Sequence, residues 1–213
     1  MTASAAADRP EPPKGLKLLG AAFTSKKTAL MVLFGFGAGL PNAVLIGTVP
    51  AWLGEWGVSL TMIGIISMLF LAYAFKFLWS PVVDRVELPL LGRLGRRRSW
   101  LLLCQVLIVG ALFALSLIDP RISIGLFALL AFIAAIASAT QDIVVDAWRI
   151  DIADERATVE VLSSVYQLGY RTASLVGGAL ALYLSVYYEW PIVFQMMAGF
   201  MLIAVVATLI APD

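Results

Sequence analysis

Six apolar runs, at 28–53, 58–82, 99–118, 122–147, 158–187 and 190–211, are each long enough to cross a hydrocarbon core of about 30 Å at about 1.5 Å of helical rise per residue. In lipid no water is available to satisfy backbone N–H and C=O groups, so segments of this kind must form helices whose hydrogen bonds are internal. The expected class is therefore an all-α multi-pass membrane protein with six transmembrane helices. Composition agrees, with 61% of the residues hydrophobic and only 14% charged.

The connections between the runs sort by charge. Arg9, Lys14, Lys17, Lys26 and Lys27 precede the first run, Arg85, Arg93, Arg96, Arg97 and Arg98 follow the second, and Arg149 and Arg156 follow the fourth. The opposite connections hold Arg121 alone. Positive charge is retained in the cytoplasm, so both termini are expected there. Residues 1–27, with Pro10, Pro12 and Pro13 and scattered lysines, read as a cytoplasmic tail and not as a cleaved leader. Within the tail, 16–23 suits a short interfacial helix, and a disordered segment is the alternative.

Charges inside the runs are the candidate functional residues, because an ionised group among hydrocarbon costs about 3 kcal/mol and must face protein or water. On the fourth helix Asp142, Asp146 and Arg149 fall at i, i+4 and i+7, on one face bordered by Gln141. Lys76 lies about two turns before Asp84, at a depth similar to Asp142, so it either snorkels or pairs with that carboxylate. Arg171 comes about 20 Å along the fifth helix, too deep for easy snorkelling, and shares a face with Ser164, Gln167, Ser174 and Gly178. A guanidinium on such a stripe suits a carboxylate or phosphate ligand; an internal ion pair with Asp142 is the structural alternative. The first helix carries Gly35-Phe-Gly37-Ala-Gly39-Leu-Pro41-Asn42, where small residues permit close backbone approach and the proline removes one helical bond. A bent or locally opened helix is expected there, with the Asn42 amide beside it. Trp52, Trp56, Trp79, Trp100, Trp148 and Trp190, near the run ends, are expected to be interfacial anchors.

Other chemistries find little support. The chain has no histidine and one cysteine, Cys104, so neither a zinc site nor an internal disulfide is expected, and any proton carrier must be a carboxylate or another residue. Hydrolase and metalloprotease motifs are absent, and neither an enzyme, a cofactor nor a nucleic-acid partner is expected.

Two stretches resemble a known family. Pro81-Val-Val-Asp84-Arg85 after the second helix and Gly95-Arg96-Arg97-Arg98 before the third are similar to the loop signature of the major facilitator superfamily, although Ser80 replaces a glycine and nine residues, 86–94, fill a gap of one. The longer loop resembles that of the AmpG-like muropeptide permeases. Gly39-Leu-Pro41, Phe75-Lys76-Phe77-Leu78-Trp79-Ser80-Pro81, Leu91-Gly92-Arg93, Ala139-Thr-Gln141-Asp142-Ile-Val-Val-Asp146-Ala-Trp148 and Leu168-Gly169-Tyr170-Arg171 extend the resemblance over nearly everything after Lys27. It implies one half of a facilitator fold, a three-plus-three inverted repeat over 28–213, and import of anhydro-muropeptides across the bacterial inner membrane with the proton gradient. It also implies a part in transport for Ala139 and Gln141. Related permeases resemble acetyl-CoA transporters, so another anionic solute is the alternative cargo.

The expected roles follow. Asp142 and Asp146, tuned by Lys76, carry the proton; Arg171, Gln167, Gln141 and Asn42 bind an anionic sugar-peptide; Asp84, Arg85, Arg96, Arg97 and Arg98 form a cytoplasmic gate. The second half would be supplied by further chain, a partner or a second copy. A non-transporting membrane module is the rival reading, and a membrane-embedded enzyme built on Lys76, Asp142 and Asp146 a remote one.

Overall fold

The computed structural model describes residues 25–88, 95–155 and 157–211. The expected interfacial helix at 16–23, the Leu91-Gly92-Arg93 motif and Arg156 lie outside the described residues. Everything described is helix or connection, in six helical runs. They are α1 (Lys26–Glu55), α2 (60–85, comprising Leu60–Leu78 and Ser80–Arg85), α3 (Arg96–Leu115), α4 (Ile124–Asp151), α5 (159–185) and α6 (Trp190–Ile210).

Five of these, all but α5, are long and apolar enough to cross a membrane. The expected fifth span exists as a continuous helical run, but Gln167, Arg171, Thr172 and Ser174 dilute its apolar content. Local chemistry explains several ends. Ser25 caps α1 in a reciprocal capping box with Thr28, Thr158 accepts the Val161 N–H at the start of α5, and Pro191 occupies the first turn of α6.

Of the bent or locally opened helix expected in α1, the opening is what forms. Pro41 sits inside the helix, and 44–48 then winds with the wider π spacing. A matching π stretch occupies 175–180 of α5, and the two meet where the buried Thr48 hydroxyl donates to the Gly177 carbonyl at 2.5 Å. α1 packs more extensively against α5 than any other pair of elements packs. The contact is reciprocal: a Cβ on Gly169 would run into the Val32 carbonyl, and one on Gly35 into the Tyr166 carbonyl. Lipid tails are as apolar as leucine, so helices in a membrane associate through such close packing and not through the hydrophobic effect.

The interior divides lengthwise. One cluster, towards the end opposite the arginines, surrounds Trp52, which is wholly buried against Phe127, Phe194, Trp56 and Trp190. The other, at the arginine end, holds Phe34 edge-on to Trp148. The expectation of tryptophan anchors is thereby corrected for Trp52, Trp148 and Trp190, which are 0%, 3% and 3% exposed. Position near a span end places a tryptophan at interfacial depth without saying whether it faces lipid or a neighbouring helix.

Replacing Gly169 by Ala should lower the thermal midpoint of the detergent-solubilised protein, since overpacking of a close contact costs about 1–3 kcal/mol. Gly110→Ala, where nothing lies within 4 Å of the added carbon, should leave the midpoint unchanged or raised.

Candidate functional site

The ionic cluster expected from the sequence forms. The Lys76 ammonium lies 3.8 Å from Asp142 Oδ2 and 3.8 Å from Asp146 Oδ2, so one α2 cation is shared by two carboxylates a helical turn apart on α4. Snorkelling is therefore not what Lys76 does. Asp146 also accepts from Arg149 at 2.6 Å, and the Arg149 guanidinium lies over the Tyr166 ring at 5.3 Å. Two cations and two carboxylates balance in charge.

The position of Lys76 depends on an irregular helix. α2 tightens into 3-10 turns at Leu69–Leu71 and Lys76–Leu78, and packs chiefly against α4. Trp79 fixes that contact by donating its indole N–H to the Thr140 hydroxyl at 3.1 Å.

Asp142 is the more enclosed carboxylate, its side chain 16% exposed against 47% for Asp146. Its second oxygen, Oδ1, is buried without a hydrogen-bond partner, and beside it the buried Tyr73 hydroxyl faces the Ser138 hydroxyl and the Asn42 amide. These groups belong together: Tyr73 lies one turn before Lys76 on α2, and Ser138 one turn before Asp142 on α4. Sequence reasoning missed both. The signal was present, since i, i+3 and i, i+4 neighbours of an intramembrane charge share its helix face. A buried carboxylate oxygen left without a partner is costly in a dry interior.

Arg171 is not part of this cluster. It is exposed, makes no ion pair among the described residues, and lines an open cavity of about 570 Å³ with Gln167, Tyr170, Ser174 and Leu175. The alternative of a structural Arg171–Asp142 pair is thus not realised. Asn42 is half-buried on α1 just before its widened turn. Gln141 stands apart, 1% exposed and packed beside Gly37, with its amide oxygen unpartnered. It points into the bundle, one residue out of step with Asp142.

The expected gate residues divide into three. Arg97 bridges Asp84 at 2.7 Å and Asp151 at 3.2 Å, tying α2 and α3 to the end of α4. Arg98 donates to the Thr208 and Leu209 carbonyls at 3.2 and 2.8 Å, satisfying the last turn of α6. Arg85 and Arg96 are exposed. At the same end Lys27 pairs with Asp154 at 2.5 Å and donates to the Ile152 carbonyl, a clamp from α1 to the α4–α5 connection that was not anticipated. No cluster of potential metal ligands occurs among the described residues.

Comparison with known proteins gives a consistent result. The Major Facilitator Superfamily profile matches residues 31–213. The chain is 40% identical over 194 residues to the anhydromuropeptide permeases of Escherichia coli K12 and O157:H7, covering 90% of this chain and 38% of each relative. It is 40% identical over 185 residues to an uncharacterized Haemophilus influenzae protein, covering 87% of this chain and 43% of that one. The chain thus spans about two fifths of the length of these relatives.

Removing one partner from a buried ionic cluster leaves an uncompensated charge, whereas removing both is far less harmful. Lys76→Met should therefore lower the thermal midpoint more than the double variant Lys76→Met/Asp142→Asn does. Thermal unfolding of the four-member cycle should return a coupling of about 1 kcal/mol, the scale for contacting charges.

Proposed function

Because the chain belongs to the Major Facilitator Superfamily, we propose that it is the N-terminal six-helix half of a proton-coupled permease importing anhydro-muropeptides across the bacterial inner membrane. In this reading all six helical runs span the bilayer as a three-plus-three inverted repeat, with both termini cytoplasmic. A second half, from further chain or from a partner copy, closes the substrate cavity near the midplane. The observation that carries the substrate class is the 40% identity to proteins named anhydromuropeptide permease over nine tenths of the chain.

The proton path rests on the α2–α4 cluster. Asp142 takes and releases the proton, being the more enclosed carboxylate and the one with a free oxygen. With Asp142 charged, Lys76 is held between two carboxylates; with Asp142 neutral, its attraction falls on Asp146, which Arg149 already engages. The balance of attraction between α2 and α4 thus changes with one proton, and α2 is a helix with few other contacts in this unit. Tyr73 and Ser138, which face each other next to Asp142, supply hydrogen-bonding positions beside the carboxylate. Loading of the proton is in this way linked to the position of a helix.

Ligand binding rests on the α5 face. Arg171 presents a planar, permanently charged fork suited to a peptide carboxylate, and Gln167 and Ser174 beside it suit hydroxyl and amide groups of a sugar-peptide. Asn42 adds an amide from α1. Gln141, enclosed between α4 and α1, supports the helix that carries Asp142. The Arg97 bridge to Asp84 and Asp151 is the cytoplasmic latch, with Arg85 left to meet the second half. Partly exposed pairs of this kind are individually worth about 1 kcal/mol or less, which suits contacts that must break in each cycle.

In the complete permease, Asp142→Asn should abolish accumulation of labelled anhydro-muropeptide against its gradient while exchange across the membrane continues. Undiminished uphill uptake by the variant removes Asp142 from the proton path. Arg171→Gln should weaken binding roughly tenfold or more, the loss expected for a charged hydrogen bond of about 1.5–3 kcal/mol. Equal affinity of variant and parent would place the ligand elsewhere.

A further inference from the structure

An apolar groove of about 320 Å³ lies between α3 and α4, lined by none of Lys76, Asp142, Asp146 or Arg171. Trp100, Leu103 and Leu107 form its α3 wall, and Phe132, Ile136 and Thr140 its α4 wall. From Trp100 to Leu107 the helix rises about 10 Å, most of the roughly 15 Å depth of one leaflet. The groove therefore has the reach of a lipid acyl chain lying along the helices, and not that of a compact polar solute.

A charge stands at its mouth. Arg96, Trp100, Leu103 and Leu107 follow at i, i+4, i+7 and i+11, so the guanidinium belongs to the same face of α3 as the groove wall. Helical side chains lean towards the N-terminus, which for α3 is the arginine end, so Arg96 leans out of the groove towards headgroup depth. Its neighbours have other duties: Arg97 bridges two aspartates and Arg98 holds the end of α6, while Arg96 is exposed with no ion pair among the described residues. Trp100, at the groove entrance, has its indole N–H tied to the Val86 carbonyl at 2.9 Å, which fixes the ring as part of the wall. The polar groups inside the groove are few, and the Thr140 hydroxyl is already engaged by Trp79 and the Ile136 carbonyl. Such a site discriminates by charge at the mouth and by shape within.

We propose that the α3–α4 groove is a binding site for an anionic phospholipid, with one acyl chain along Trp100, Leu103 and Leu107 and the headgroup phosphate on Arg96. The bound lipid would cover apolar surface that is otherwise exposed, including Leu107 and Phe132 at 42% and 37%. It would also set a negative charge one residue from the Arg97 bridge. The site is independent of the transport reading, since it involves neither the substrate face nor the proton cluster.

The test reads lipid retention. The full chain is extracted from membranes of mixed phosphatidylglycerol and phosphatidylethanolamine, stripped stepwise with detergent, and its remaining bound lipid identified by native mass spectrometry. One phosphatidylglycerol should persist on the parent. Arg96→Gln should weaken its retention about fivefold, equivalent to the ~1 kcal/mol of one basic residue at an anionic membrane surface. Leu103→Trp, which fills the groove, should remove it, with helical content by circular dichroism confirming that the variant is folded. Arg96→Lys, which keeps the charge, should retain it, and if folded Leu103→Trp does not remove it, a second blocking variant, Ile136→Trp, is read in the same way. Phosphatidylglycerol retained equally by parent, Arg96→Gln and both groove-filling variants, or phosphatidylethanolamine retained as well as phosphatidylglycerol, overturns the proposal.

Discussion

A carbonyl oxygen of α1 occupies the place where any other residue at 169 would carry its side chain. That backbone contact, repeated at Gly35 and Gly39 and extended by the Thr48–Gly177 hydrogen bond, is what the rest of the bundle is arranged around. In lipid there is no hydrophobic reward for bringing two helices together, so an interface must rest on dispersion between closely apposed atoms and on buried hydrogen bonds. Glycine supplies the first and the widened turns the second. With α1 and α5 locked, the polar face of α5 is presented on a rigid support, and Arg171 and Asn42 keep a defined relation to each other.

The helix left out of that lock is α2. It packs chiefly on α4, carries many exposed apolar side chains including Met68, Phe77 and Leu78, and breaks into tighter turns at two places, one of them at Lys76. Its tie to the bundle is therefore unusually electrostatic: a lysine shared by two aspartates, an indole on a threonine hydroxyl, and Asp84 on Arg97. Electrostatic ties in a low-dielectric setting are strong when balanced and weak when one proton is added, a sensitivity that dispersion contacts lack. The unit is thus divided between a glycine-locked pair held by dispersion and a helix tied mainly by charge.

Much of this was legible in the sequence because intramembrane charge is so constrained. Depth and helical spacing put Lys76 level with Asp142 and Asp146 one turn away on the same face, and left snorkelling or pairing as the alternatives that the 3.8 Å contacts decide. The widened turn after Pro41 followed from a missing backbone donor. What could not be read was azimuth. Gln141 differs from Asp142 by one residue, about 100° around the helix, and that step turns it from the ionic face into the packed interior against Gly37. The anchor expectation failed for Trp52, Trp148 and Trp190 for the same reason: Trp52 is at a span end, yet its ring turns inward onto Phe127 and Phe194. The Lys27 clamp was invisible because Asp154 lies in a connection, whose conformation no periodicity specifies.

The two ends of the bundle are built from different chemistry. At the arginine end, Arg97, Lys27 and Arg98 join helices through ion pairs and carbonyl contacts that are partly exposed. At the other, Trp52, Trp190, Phe127 and Phe194 interlock out of solvent, and Trp190 is further fixed by donating to Glu55 at 2.9 Å. The charge there is also local, since Arg121 holds Asp119 within its own turn, keeps that carboxyl below the usual carboxylate range, and stacks over Trp56. Exposed ion pairs exchange partners at little cost because water compensates each lost contact, whereas separating interlocked aromatic rings forfeits dispersion with nothing to replace it. Among the described residues the arginine end is thus joined by contacts that cost little to exchange, and the other end by interlocked rings that cost more to separate.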